Sequence, residues 1–274
     1  MPLPDFILAG APKAGTSSLW SYIRQHPDVF MPEDKELFFF DFKYEKGVDW
    51  YRSHFRNHTG ESAIGEATVW YMRWQPVPER MHAVLPDVKL IFVLRNPIDR
   101  ARSNFWHDFR DGKYPFTMSF SEFVRSPIRD NRTIISSGYY HQHLKRFERY
   151  FDREQFLILL FEDVCNQPEK TLRQIYSFLN VDPSFTPNLE RKLNVSWGFR
   201  CLDALRAVNL VLPALDTLDG DTPLTWFWRK SRHFRQIFWA KGTRPPRMSL
   251  EDRAYLQDHY ADHNARLSEY LDRD

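Results

Sequence analysis

Cysteine is nearly missing. Cys165 and Cys201 are the only two among 274 residues, so no disulfide framework organises the chain. Neither belongs to a CxxC or Cys/His set with metal-ligand spacing. Long apolar runs are missing too: no stretch approaches the roughly 18 residues of a membrane span, so stable membrane insertion by a helix is not expected. The opening MPLPDFILAG lacks the basic start and extended apolar core of a secretory leader. With Met1 as the native start, a cytoplasmic location is expected. Neither sign of charge dominates, because 38 Lys and Arg face 36 Asp and Glu for a formal net charge of +2. That balance argues against a general nucleic-acid binder, which carries a clustered basic excess. It leaves room for a local basic site that takes a small anion. Oligomeric state is not legible.

Apolar residues make up 42% of the chain and charged residues 27%, enough for a sizeable core inside a soluble protein. The length suits one large domain. Aromatic content of 16% fits either a bulky core or a pocket for a flat or greasy ligand. Four apolar runs read as buried strands: DFILA (5–9), SAIGEA (62–67), KLIFVLR (89–95) and QFLILLF (155–161). Helical spacing fills the gaps, at 16–25, 48–55, 77–85, 97–110, 139–151, 168–180 and 249–271. Strands alternating with helices indicate an α/β fold with a central parallel sheet flanked by helices. Ligands of such sheets bind at the carboxyl ends of the strands. After Arg191 the strand signal ends and Trp/Arg-rich helical segments follow. The chain therefore reads as a single domain over 1–274 with a helical elaboration at about 200–248. Within it, 224–242 has the pattern of an amphipathic aromatic–basic helix.

The stretch GAPKAGTSS (10–18) follows the apolar FILA. Gly10 and Gly15 keep the spacing of a phosphate loop, but Thr16 stands where that motif has its lysine. The loop's one lysine is Lys13. A glycine loop between strand and helix turns backbone N–H groups and the positive helix end toward an anion. Ala14, Gly15, Thr16, Ser17 and Ser18 are the candidate contacts, with an ordinary strand–helix turn as the plain alternative. Magnesium-dependent NTPases also hold their metal with a strand-end Asp. Here the corresponding run ends FVLRNP, so Arg95 replaces a carboxylate, and a site that grips anions without a metal is expected.

Two segments together carry a family resemblance. FILAGAPKAGTSSL resembles the 5′-phosphosulfate loop of sulfotransferases that use 3′-phosphoadenosine 5′-phosphosulfate (PAPS), and LRNPIDRARSNFWH resembles their 3′-phosphate motif. HPDVFMPEDKELFFFD, WYRSHF, GEATVWY and KGTRPP recur in the order found in the heparan sulfate sulfotransferase branch and its bacterial relatives. The resemblance implies a P-loop-like three-layer fold, PAPS as donor co-substrate, adenosine 3′,5′-bisphosphate as product, and no metal.

It also implies roles. Arg95 and Ser103 would hold the 3′-phosphate. Lys13 would lie beside the oxygen bridging phosphorus and sulfur, where a cation favours the transition state over the ground state. Glu66 in GEATVWY would be the general base that makes an acceptor hydroxyl nucleophilic, with His107 a weaker candidate. Lys35 would be a second catalytic cation. Lys241, Gly242, Thr243 and Arg244 would close over the cofactor. Each has a plainer reading: a solvated loop lysine for Lys13 and Lys35, an ion pair with Asp99 or Glu148 for Arg95, a strand-end pairing for Glu66. The acceptor is left open between a carbohydrate and a small molecule, through a hydroxyl or an amine. A P-loop kinase or NTPase, or a non-catalytic nucleotide-binding module, is the alternative.

Overall fold

The computed structural model describes residues 2–111, 113–114, 118–126, 133–190, 197–199, 239–241 and 245–273, with backbone alone for 197–199 and 239–241. Five parallel strands form the central sheet: β1 (Phe6–Gly10), β2 (Val29–Phe30), β3 (Ala63–Ala67), β4 (Lys89–Leu94) and β5 (Phe156–Leu160), in the order β2-β3-β1-β4-β5. Every residue of β1 and β3 is buried, because helices flank the sheet. Strands covered on both faces are continuous apolar runs rather than alternating ones, which is why four of the five are visible in the sequence. β2 is only two residues long and gives no such signal.

From β1 the chain moves to β2 and β3 on one side, then returns to β4 and β5 on the other. The connections leaving β1 and β4 therefore diverge, opening a crevice at the carboxyl edge of the sheet. Helix α1 (Thr16–Ile23) follows β1, and α4 (Pro97–Arg110) follows β4. Pro97 opens α4, and the Asn96 side chain accepts from the amides of Ile98 and Asp99, so the helix starts sharply beside Arg95. Between them lie α2 (Gly47–Ser53) and α3 (Val77–Val84).

Beyond α4 come α5 (Phe120–Arg125), α6 (Thr133–Ser136), α7 (Tyr140–Phe147), α8 (Phe161–Asn166) and α9 (Pro168–Leu179), and α10 (Leu250–Leu271) ends the chain. A second apolar cluster, with Phe105, Phe123, Leu256 and Tyr260 at its centre, packs α4 and α5 against α10. The short α5, α6 and α8 were not foreseen. Trp239–Lys241 pairs antiparallel with Trp197–Phe199, so residues 239–241 of the expected 224–242 helix are a strand. The rest of that stretch, and most of the elaboration at about 200–248, lies outside the described residues.

Candidate active site

The loop after β1 is shaped by left-handed backbone. Lys13 has φ 67° and Gly15 φ 77°, so the chain coils tightly before α1. Gly15 caps α1 without any side-chain hydrogen bond; the Ser18 amide donates to the Gly15 carbonyl at 3.1 Å, and the amides of Thr16 and Ser17 face the start of the helix, where a ligand or water can take them. Gly10 has a different reason to be glycine. A Cβ there would stand 2.6 Å from Met72 Cβ, so its constraint is packing rather than room for a phosphate.

Cations converge on this turn from two directions. Arg95, at the end of β4, donates from Nη1 to the Lys13 carbonyl at 2.9 Å and lies over the Phe161 ring at 4.5 Å. Neither alternative pairing for Arg95 occurs, since Asp99 pairs with Arg253 at 2.7 Å and Glu148 with Lys145 at 2.7 Å. From the other side, Lys35 Nζ donates to Thr16 Oγ1 at 3.3 Å and Ser17 Oγ at 3.1 Å. Burial lowers the Lys13 pKa to about 8, and Arg110 adds to the effect while Asp108 and Asp111 oppose it. An anion bound beside Lys13 would favour its ammonium form.

Ser103 sits half-buried on α4, two turns beyond Arg95. Its neighbour Arg102 donates from Nη2 to the Pro245 carbonyl at 2.9 Å and also to Pro246. The exit of the KGTRPP segment is thereby tied to the helix that carries Ser103. Arg102 is a residue that sequence reasoning missed. Lys241 contributes backbone to the two-stranded sheet; its side chain, with Gly242, Thr243 and Arg244, lies outside the described residues. His107 is within 3.6 Å of Asp108 and 3.5 Å of Asp111.

Glu66 and Glu36 differ in access. Glu66 is 1% exposed; its Oε1 accepts from Tyr51 OH at 2.8 Å and its Oε2 from Thr68 Oγ1 at 2.6 Å. Glu36 retains 22% of its side-chain exposure and pairs with Lys35 at 3.3 Å. Its Oε2 accepts from the Val69 amide at 3.2 Å, and its backbone lies in the left-handed region at φ 67°. Burial raises the Glu36 pKa and lowers that of Lys35, while their attraction partly offsets both shifts. Sequence reasoning passed over Glu36, although it adjoins Lys35.

The sulfotransferase domain profile matches residues 3–204. The chain belongs to the sulfotransferase family. A human bifunctional heparan sulfate N-deacetylase/N-sulfotransferase 2 is 30% identical over 288 residues, covering 99% of this chain and 30% of the relative. The chain thus spans under a third of that protein's length. Human heparan sulfate glucosamine 3-O-sulfotransferase 6 is 32% identical over 203 residues, 73% of this chain and 58% of the relative. The crystal structure of a sulfotransferase from Alicyclobacillus acidocaldarius superposes with a TM-score of 0.74 at 26% identity, covering 100% of this chain and 98% of that one. In this sulfotransferase, β1, β3 and β4 bring Lys13, Lys35, Glu36 and Arg95 to one edge of the sheet. Among the described residues no helix is long and apolar enough to cross a membrane.

Proposed function

We propose that the protein transfers a sulfuryl group from PAPS to a hydroxyl or amine of an acidic carbohydrate. The observation that carries the donor assignment is the uncapped, left-handed turn at α1 with Lys13, Lys35 and Arg95 around it. A doubly phosphorylated adenosine fits such a turn: it offers anions at both ends, and uncapped amides and separated cations are the complementary groups. Amides from Ala14 to Ser17, with the Thr16 and Ser17 hydroxyls, would take the 5′-phosphate, and Ser18 completes the loop. Arg95 and Ser103 would take the 3′-phosphate, and Lys241 to Arg244 would close over it.

In the transfer, the acceptor oxygen or nitrogen forms a bond to sulfur as the bond from sulfur to the 5′-phosphate oxygen breaks. Lys13 meets the negative charge that collects on the departing phosphate. The acceptor's proton goes to Glu36 rather than to Glu66. Glu36 has open surface and stands beside Lys35 at the loop, whereas Glu66 has no free face through which an acceptor could approach. A base must come within hydrogen-bond reach of the proton it removes.

Arg95→Ala is expected to weaken adenosine 3′,5′-bisphosphate binding by about 10- to 100-fold, the scale of a charge-assisted hydrogen bond. Adenosine 5′-phosphate should be little affected. Ser103→Ala, which leaves the Lys13 carbonyl contact intact, should act in the same direction but less. Equal weakening of both nucleotides in a calorimetric titration counts against the 3′-phosphate assignment.

The acceptor class rests on a groove of about 810 Å³ beside α7. Arg73, His141, Lys145, Arg146, Arg149 and Arg266 line it, and no carboxylate does so among the described residues. In a chain with net charge +2 such one-sided lining suits an anionic ligand. Burial brings the Arg73 pKa down to about 10, and its Nε and Nη1 have no hydrogen-bond partner among the described residues. The test is transfer of ³⁵S from PAPS to a uronic-acid tetrasaccharide and to its carboxyl-reduced counterpart. Exposed charge pairs contribute roughly 0.2–1 kcal/mol each, so Arg149→Glu with Arg266→Glu is expected to raise KM for the acidic acceptor about tenfold. KM for the reduced acceptor should hold. An equal effect on both acceptors removes the groove from the reading.

A further inference from the structure

Glu66 is a carboxyl inside the sheet that the proposed chemistry does not use. It occupies β3 opposite Ile7 of β1, in a strand whose other residues are Ala, Ile and Gly. An acid buried at this depth needs partners for both oxygens, and Tyr51 and Thr68 supply them. Burial raises the Glu66 pKa to about 7; the hydrogen bonds from Thr68, Tyr51 and Tyr71 pull it down, and the nearby Glu36 charge pushes it up.

The same partners lead to the segment that carries Glu36. Thr68 Oγ1 accepts from the Phe38 amide at 3.4 Å, and Tyr71 OH accepts from the amides of Phe39 at 2.8 Å and Phe40 at 3.3 Å. The Tyr51 ring stacks on Phe39 with centroids 4.4 Å apart and planes 7° apart. The Glu36 amide donates to the Ala67 carbonyl at 2.9 Å. Glu36 and Phe38 are both left-handed, at φ 67° and 59°. L-residues hold such backbone only where the surroundings impose it.

We propose that Glu66 is a positioning residue: through Tyr51, Thr68 and Tyr71 it fixes residues 36–40 so that the Glu36 carboxylate faces the phosphate loop. This rests on the reading of Glu36 as base. The proton count supports it. The Tyr51 and Thr68 hydroxyls both donate inward to the Glu66 oxygens, the arrangement that two accepting carboxylate oxygens require. The Thr68 oxygen lone pairs are then left for the Phe38 amide. A glutamine at 66 would turn its NH₂ on one of these hydroxyls and reverse that bond.

The test uses the full chain with Glu66→Gln, Thr68→Val, the double variant and Glu36→Gln. Misplacing a reacting group by about 1 Å costs about 10²-fold, and that fall in kcat is expected for Glu66→Gln. Its KM for PAPS and its adenosine 3′,5′-bisphosphate affinity should stay within about twofold, because the loop itself is untouched. Thr68→Val should lower kcat in the same direction, and the double variant should fall no further than the worse single one, as for residues acting as a unit. Hydrogen exchange of the amides at 38–40 should quicken in Glu66→Gln and stay unchanged at 13–18.

Wild-type kcat with unchanged exchange at 38–40 overturns the inference. So does complete loss of activity in Glu66→Gln beside an active Glu36→Gln, which would make Glu66 the base itself. If the unaltered protein binds no adenosine 3′,5′-bisphosphate, the sulfotransfer reading fails separately, and the exchange at 38–40 still decides whether Glu66 holds the segment.

Discussion

Lys13→Ala is expected to lower kcat by about 10²- to 10³-fold, the effect of removing one preorganised group that meets developing charge. The reason lies in timing. In the donor the bridging oxygen shares its electrons with sulfur and phosphorus. As the bond to sulfur breaks, it becomes a full phosphate oxygen, and an ammonium there binds the transition state better than the ground state. Adenosine 3′,5′-bisphosphate should still bind, because the α1 amides, Lys35 and Arg95 remain.

The pH dependence supplies a second check. With the Lys13 pKa at about 8 in the ligand-free protein, kcat/KM for PAPS should fall as pH rises through that value, since the amine form is uncharged. Bound anions favour the ammonium, so the alkaline limb of kcat should lie at higher pH than that of kcat/KM. Coincident limbs, or a Lys13→Ala variant of wild-type rate, would remove Lys13 from the chemistry.

Glu36→Gln is expected to lower kcat by about 10²- to 10⁴-fold, the range for loss of a general base. Nucleotide affinity should change little. The Glu36 pKa is raised, first by burial, so wild-type activity should fall as pH drops through a value above the ordinary one for a glutamate. The variant should lose that acid limb. Steady-state rates across pH with saturating PAPS check both points; an unchanged acid limb would return the role of base to another group.

The sheet and the loop could be read from the chain because their signals are local. FILA and LIFVL are apolar throughout since both faces of β1 and β4 are covered. Their strand ends led directly to Lys13 and Arg95. The placement of the proposed base was not local. The face of Glu36 depends on a left-handed backbone, on the Ala67 carbonyl and on the Val69 amide, 31 to 33 residues away in sequence. Nothing in the spacing of DKELFFFD reveals that cradle. Glu66 attracted the assignment through the resemblance of GEATVWY, yet the sheet that runs through this motif buries its carboxyl. Arg102 escaped for a related reason: its partners are backbone carbonyls at Pro245 and Pro246, more than 140 residues on, and carbonyls carry no sequence signal.

In the proposed complex this turn and its cations grip both phosphates of one adenosine. Calorimetric titration of the purified chain with adenosine 3′,5′-bisphosphate tests it most directly, with adenosine 5′-phosphate as the control. One site per chain is expected, with the bisphosphate bound tighter by at least about tenfold, the difference of one charge-assisted contact. Absence of any heat with the bisphosphate, or equal affinity for the two nucleotides, would contradict it.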